Sequence, residues 1–214
     1  FSHPDPTVKR RSGFLAPTLT NSNTVGTGFG VPYFFNIADD KDITLTPKFF
    51  LNDNPLFLAE YRQDFLDSFF ILDAGYSEGY KKTDVKKTNG GRAHFFSKFN
   101  KNFIDEEEKK SSLEVTAQKV SNDTYLQVYD VNTSLVNADQ HVMENTINFN
   151  YQNNDFYFNF MPSVYEDTTK LGDLKYEYLL PVTLEKNLMV DEKYGIVDLT
   201  SNVRIKNYER NKQT

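Results

Sequence analysis

Apolar and polar positions alternate along most of this chain with a period of two. Over residues 42–51 (DITLTPKFFL), Ile43, Leu45, Phe49 and Leu51 share one parity, while Thr44, Thr46 and Lys48 take the other. Over 56–65 (LFLAEYRQDF), Phe57, Ala59, Tyr61 and Phe65 alternate with Leu58, Glu60, Arg62 and Asp64. Residues 68–80 continue the pattern, with Phe70, Leu72, Ala74 and Tyr76 on one side. Period-two alternation is the signature of strands with one apolar and one polar face. The Asn52-Asp53-Asn54-Pro55 break between the first two runs reads as a tight turn, so these strands form a meander.

Further runs follow at 92–103, 113–120, 143–151, 156–164, 174–185 and 194–208. The whole predicts about nine strands of roughly 8–12 residues, longer than the soluble average and near the length that crosses a bilayer at a tilt. Residues 80–91 read as a long flexible loop. Residues 123–139 fit either a loop with a short helix or a broken strand. Pro32 and Pro47 interrupt runs that otherwise read as strands. Proline has no N–H to give a ladder and is confined to edges, strand starts and bulges. Each alone reads as an ordinary edge or bulge proline; the two together predict a weakly zipped pair at a sheet margin that opens.

Composition narrows the class. The 214 residues hold 19 Phe and 13 Tyr, no Trp and no Cys, yet only 38% are hydrophobic and mean hydropathy is −0.60. Aromatics are dense while aliphatics are scarce, which suits strands with one greasy face and one polar face better than a helical bundle. The pattern alone does not distinguish an outward greasy band from an inward core, so a transmembrane barrel segment and a soluble β-sandwich of binding or adhesion type both fit. A net charge of −6 argues against a nucleic-acid partner. The absence of Cys removes disulfides, thiolate metal sites and thiol nucleophiles from this stretch. No apolar run reaches the roughly 18 residues of a membrane helix. No basic-then-apolar leader opens the chain, which reads as a mature or excised segment.

Candidate chemistry is sparse. His3, His94 and His141 lack partners at ligand spacing and read as satisfied or solvated. Asp39-Asp40-Lys41-Asp42 lacks the alternating ligands and central Gly of a calcium loop and reads as a solvated turn. Gly26-Thr27-Gly28-Phe29-Gly30 lacks the third glycine of a dinucleotide fingerprint. Glu60 and Arg62 share the polar face of one strand, as a lumen-facing or surface charge pair. Neither an enzyme mechanism nor a cofactor or metal is indicated.

Four stretches carry a family resemblance. Lys9-Arg10-Arg11-Ser12-Gly13-Phe14-Leu15-Ala16-Pro17 resembles the (R)RSGFL-x-P signature of the LptD family, the LPS-assembly outer-membrane proteins also called organic solvent tolerance proteins. Val31-Pro32-Tyr33-Phe34-Phe35-Asn36-Ile37-Ala38, followed by Asp42-Ile43-Thr44-Leu45-Thr46-Pro47, is similar to that family's PYYWNIAP and D-x-T-x-TP stretch at the same spacing, with Phe35 where the family has Trp. Val120-Ser121-Asn122-Asp123-Thr124-Tyr125 resembles its VSDxxY element, and Tyr178-Leu179-Leu180-Pro181 its RLP-like strand, without the usual Arg.

The resemblance implies an all-β fold, an antiparallel meander from a large outer-membrane β-barrel. Residues 1–17 would be the tail of a periplasmic domain and the junction, with Arg11, Gly13, Phe14 and Pro17 as the junction motif; residues 18–214 would be the early barrel strands. It implies transport without catalysis, in the outer membrane of a Gram-negative cell. Lipopolysaccharide would be the cargo, an LptE-like plug lipoprotein and a periplasmic bridge the partners, and outer-membrane lipid the surroundings. Pro32, Pro47, Tyr33 and Phe35 would belong to a lateral gate. A diffusion porin and the soluble sandwich are the rival readings.

Overall fold

A computed structural model describes residues 10–78, 90–191 and 195–207. Most of the expected 80–91 loop lies outside the described residues. The strands are β1 (Gly13–Phe14), β2 (Thr18–Ser22), β3 (Gly26–Gly30), β4 (Tyr33–Ala38), β5 (Lys41–Phe50), β6 (Leu56–Phe65), β7 (Ser68–Glu78), β8 (Gly91–Asp105), β9 (Lys109–Val120), β10 (Val142–Asn153), β11 (Phe156–Phe160), β12 (Ser163–Asp167), β13 (Tyr176–Asp191) and β14 (Gly195–Asn207). A five-residue helix, α1 (Tyr125–Tyr129), lies between β9 and β10, and a 3-10 turn (Gly172–Lys175) precedes β13.

The described residues therefore hold 14 strands rather than about nine. The excess arises where prolines split one run into two, as at Pro162, and where the chain before residue 42 adds short strands. The glycine-rich 26–30 stretch is a strand. The ambiguous 123–139 stretch is a loop with a short helix. All described pairings are antiparallel, and β4 through β10 are neighbours in chain order, the meander expected from the turns.

The chain forms two compact units. The first contains residues up to 65, 71–95 and 120–138; the second contains 66–70, 96–119 and 139 onward. In the first unit the apolar parity is the exposed one. Leu45, Phe49, Phe57, Tyr76 and Phe95 are each between 38% and 57% exposed. The opposite parity carries Asp42, Lys48, Asp73, Ser77, Arg92 and His94, all buried. A soluble sandwich buries its apolar parity and wets the polar one. Here the order is reversed, as in a barrel wall whose outer surface meets lipid.

The polar face is buried because residues 120–138 lie over it. Val25 in the turn before β3, Leu56 and Ile71 from the strands, and Tyr125, Leu126, Tyr129, Val131 and Val136 from this segment are all 5% exposed or less. α1 is too short to be stable by itself; its buried aromatic face holds it. It ends at Asp130 in the left-handed conformation, φ 47°.

The second unit repeats the reversal. Phe103, Ile147, Val203 and Ile205 are exposed, while the other parity is stitched by amides. Asn159 Nδ2 donates to Oδ1 of both Asn148 and Asn150, each at 2.7 Å. Such ladders satisfy polar groups on a face that has no apolar layer against it.

Candidate seam and polar inner face

Pro32 sits in a break between β3 and β4, and both of those strands pair with β5. The register does not shift across the break: Gly30 faces Lys48 before it and Tyr33 faces Leu45 after it. Val31 therefore stands opposite Pro47, and its N–H donates to the Pro47 carbonyl at 3.1 Å. In an antiparallel ladder a residue's N–H and C=O point at the same neighbour. Pro47 thus returns nothing to Val31, and half of a two-bond pair is missing. On the other side, Leu15 N–H donates to the Pro32 carbonyl at 2.9 Å, and Pro32 likewise returns nothing. Each missing donor forgoes a bond worth roughly 0.5–1.5 kcal/mol in water, and more where lipid offers no replacement.

Tyr33 and Phe35 lie on the exposed apolar parity of β4, ring centroids 4.4 Å apart. Phe14 meets Tyr33 edge-on at 4.8 Å. β1 holds this contact, Gly13 pairing with Phe34 and Phe14 with Tyr33. Pro17 lies just before β2, and Arg11 is exposed. The structure thus brings Phe14 of the junction motif against Tyr33 of the expected gate, and Gly13 opposite Phe34, through one short strand on the margin.

Glu60 and Arg62 lie on the polar parity of β6. Arg62 Nε is 2.9 Å from Asp42 Oδ1 and 3.6 Å from Glu60 Oε1. Arg10 Nη1 donates to the other Asp42 oxygen at 3.2 Å. Asp42 is therefore not part of a solvated turn. It is 2% exposed and holds two guanidinium groups; a buried carboxylate persists only when paired in this way. Arg10, Arg11, Phe34, Thr44, Glu60 and Arg62 line a cleft of about 660 Å³. Cations, an anion and apolar walls together make it amphiphilic.

The segment over the polar face is tied by side chains that sequence reading did not connect. His94 Nε2 contacts Asp73 Oδ1 at 2.5 Å and His94 Nδ1 contacts the Tyr125 hydroxyl at 3.0 Å. His94 is thus a satisfied core histidine. Gly75 makes room for it, since a Cβ there would stand 2.5 Å from the imidazole Cε1. Tyr129 OH donates to Asp53 at 3.2 Å, Ser134 Oγ to Glu60 at 3.0 Å, and Lys48 Nζ to the Asp130 carbonyl at 3.3 Å. Burial pushes the Tyr125 and Tyr129 phenols above their ordinary range, so both stay neutral donors. The available signal was the Tyr125, Leu126, Tyr129 spacing, one apolar helix face in a polar stretch.

No protein-family model matches the chain. It is 26% identical over 174 residues to the LPS-assembly protein LptD of Legionella pneumophila, covering 77% of this chain and 20% of that protein. The LPS-assembly protein LptD of Nitrosococcus oceani is 27% identical over 153 residues, 68% of this chain and 18% of that protein. A shorter stretch of 54 residues is 43% identical to the LPS-assembly protein LptD of Methylococcus capsulatus, covering 25% of this chain and 5% of that protein. The chain spans about a fifth of the length of the curated relatives it matches. With its antiparallel meander, exposed aromatic parity and buried polar parity, this chain is a distant, partial relative of the LptD proteins, a fragment of outer-membrane β-barrel wall.

Proposed function

We propose that this chain forms part of a barrel wall that assembles lipopolysaccharide into the outer leaflet of the Gram-negative outer membrane. The reversed burial is the observation that supports it most directly: apolar side chains are exposed, while the first unit's charged parity is buried under residues 120–138 and the second unit's polar parity is stitched by amides. Such a wall offers hydrocarbon to acyl chains and polar groups to sugars. No bond is made or broken in this role; the work is passage.

Residues 1–17 serve as the junction, with Arg11, Gly13, Phe14 and Pro17 at its centre, and residues 18–214 as wall. The Pro32 and Pro47 seam is the lateral gate, with Tyr33 and Phe35 as its lipid-facing lip. The missing donors lower the cost of parting the margin, so acyl chains move sideways while the headgroup stays in the polar interior. Glu60 and Arg62 face that interior, beside the amphiphilic cleft through which cargo arrives from a periplasmic bridge. A plug lipoprotein of the LptE kind completes the lumen.

Replacing both prolines, Pro32→Ala with Pro47→Ala, restores two donors and should close the seam. Lipopolysaccharide export should fall and sensitivity to large hydrophobic antibiotics should rise. Unchanged export and sensitivity in the double variant would sink the gate.

A further inference from the structure

β3 contributes almost no side chain to the inner face of the proline margin. Gly28 and Gly30 lie on its buried parity and Phe29 on the exposed one. Side chains of both neighbouring strands close in over it instead. A Cβ at Gly28 would stand 2.6 Å from the Phe50 ring of β5 and 2.7 Å from the Thr20 hydroxyl of β2. A Cβ at Gly30 would stand 2.6 Å from the Thr18 hydroxyl and 3.2 Å from the Lys48 stem.

The C-terminal end of α1 is held from both sides of this strand. Ser22 Oγ of β2 donates to the Val128 carbonyl at 3.0 Å. Lys48 Nζ of β5 donates at 3.3 Å to the carbonyl of Asp130, the left-handed residue that ends the helix. The Phe50 ring lies 5.6 Å from that of Tyr129. The last carbonyls of a helix have no partner within it, and lysine is a common donor to them. α1 has separate anchors away from β3, in Tyr125 on His94 and Tyr129 on Asp53.

The margin consists of three paths: β1 with β2, then β3 with β4, then β5. Phe14 faces Tyr33 while Thr18 faces Gly30, so the first path gains one residue on the second between Phe14 and Thr18, a bulge that includes Pro17. The line between the first two paths thus carries a bulge and lacks the Pro32 donor; the line between the last two lacks the Pro47 donor. Parting along either line carries Ser22 away from Lys48, and α1 is fastened to both.

We propose that Ser22 and Lys48 are positioning residues that clasp the seam shut through α1, so that the wall parts at its prolines only when the end of α1 releases one of them. The inference rests on reading Pro32 and Pro47 as the margin that opens, and adds what restrains it. The cover over the inner face and the seam in the wall then move together: lifting residues 120–138 loosens the margin.

The second unit supplies an internal control. There β11 and β12 follow one path against β13, Met161 donating to the Pro181 carbonyl at 3.2 Å and Ile147 to the Pro162 carbonyl at 3.1 Å. The bonds match those of Val31 to Pro47 and Leu15 to Pro32, and α1 belongs to the first unit.

The test is hydrogen exchange, read by mass spectrometry on the complete protein in detergent, for the native chain and for Ser22→Ala with Lys48→Met. Peptides holding Leu15 and Val31, whose N–H groups cross the two lines, should exchange several-fold faster in the variant. Those holding Met161 and Ile147 should exchange as before, which shows the wall to be folded. Ser22→Thr with Lys48→Arg keeps both donors and should restore slow exchange at the seam. Tyr125→Ala loosens α1 at its far anchor and should speed the seam peptides as well, without touching β2 or β5. Faster exchange in α1 alone, with Leu15 and Val31 unchanged in either variant, overturns the clasp and leaves Ser22 and Lys48 as fasteners of the helix. Lipopolysaccharide export in the Pro32→Ala, Pro47→Ala variant reports the gate separately. Unchanged export there, with faster seam exchange here, rejects the gate and keeps the clasp.

Discussion

Tyr125 carries more of the structure than its place in a polar stretch suggests. Its ring is fully buried, 5.3 Å from that of Tyr129, and its hydroxyl completes the Asp73–His94 pair. Tyr125→Phe removes one buried hydrogen bond and should cost about 1 kcal/mol. Tyr125→Ala also empties the packing site and should cost about 3–5 kcal/mol. Urea unfolding in detergent, followed by proteolysis of the 120–138 segment, reads both. The same residue sets a pH dependence. Its folded pKa is raised by burial, so folding favours the protonated phenol. That contribution is complete below the unfolded tyrosine value of about 10 and is lost as pH rises above it. Unfolding midpoints should fall on the alkaline side of pH 10 in the native chain, and fall less in Tyr125→Phe.

At the level of elements, the two proline-broken strands are the features to test. β3–β4 and β11–β12 each keep register across the gap, so the neighbouring ladders, rather than the interrupted strand, hold the alignment. Pro162→Ala with Pro181→Ala supplies two N–H groups already facing carbonyls. Each should add roughly 0.5–1.5 kcal/mol of ladder strength, seen as slower amide exchange at Met161 and Ile147. Unchanged exchange would mean that the carbonyls of these breaks are satisfied in another way. The interrupted runs explain why the periodicity predicted fewer strands: alternation continues across Pro162, and only the ladder stops there.

For the whole molecule, the reversed faces make a direct prediction. The chain holds no Trp, so a single introduced Trp is an unambiguous probe. Trp at Phe57 or Phe103 should be strongly quenched by brominated acyl chains in reconstituted bilayers, and Trp at Thr44 should not. Equal, weak quenching at all three positions would place the apolar parity in a protein core and return the sandwich reading.

The sequence by itself determined the long strands from residue 42 onward, the turns between them, the division of each into an apolar and a polar face, and the family to which its first motifs point. Those are properties of neighbouring residues, and local sterics and period-two patterning suffice to specify them. It also marked Pro32 and Pro47, because proline's missing donor is a fact of covalent chemistry. Which face is covered is decided only in three dimensions, since alternation is symmetric between inward and outward. The burial of Asp42 between Arg10 and Arg62, and of His94 between Asp73 and Tyr125, depends on partners 20 to 32 residues apart. The equivalence of the Pro32 and Pro162 breaks depends on cross-strand register, which no single strand encodes. Tertiary pairing thus turned an ambiguous greasy stripe into a lipid-facing wall with a polar interior.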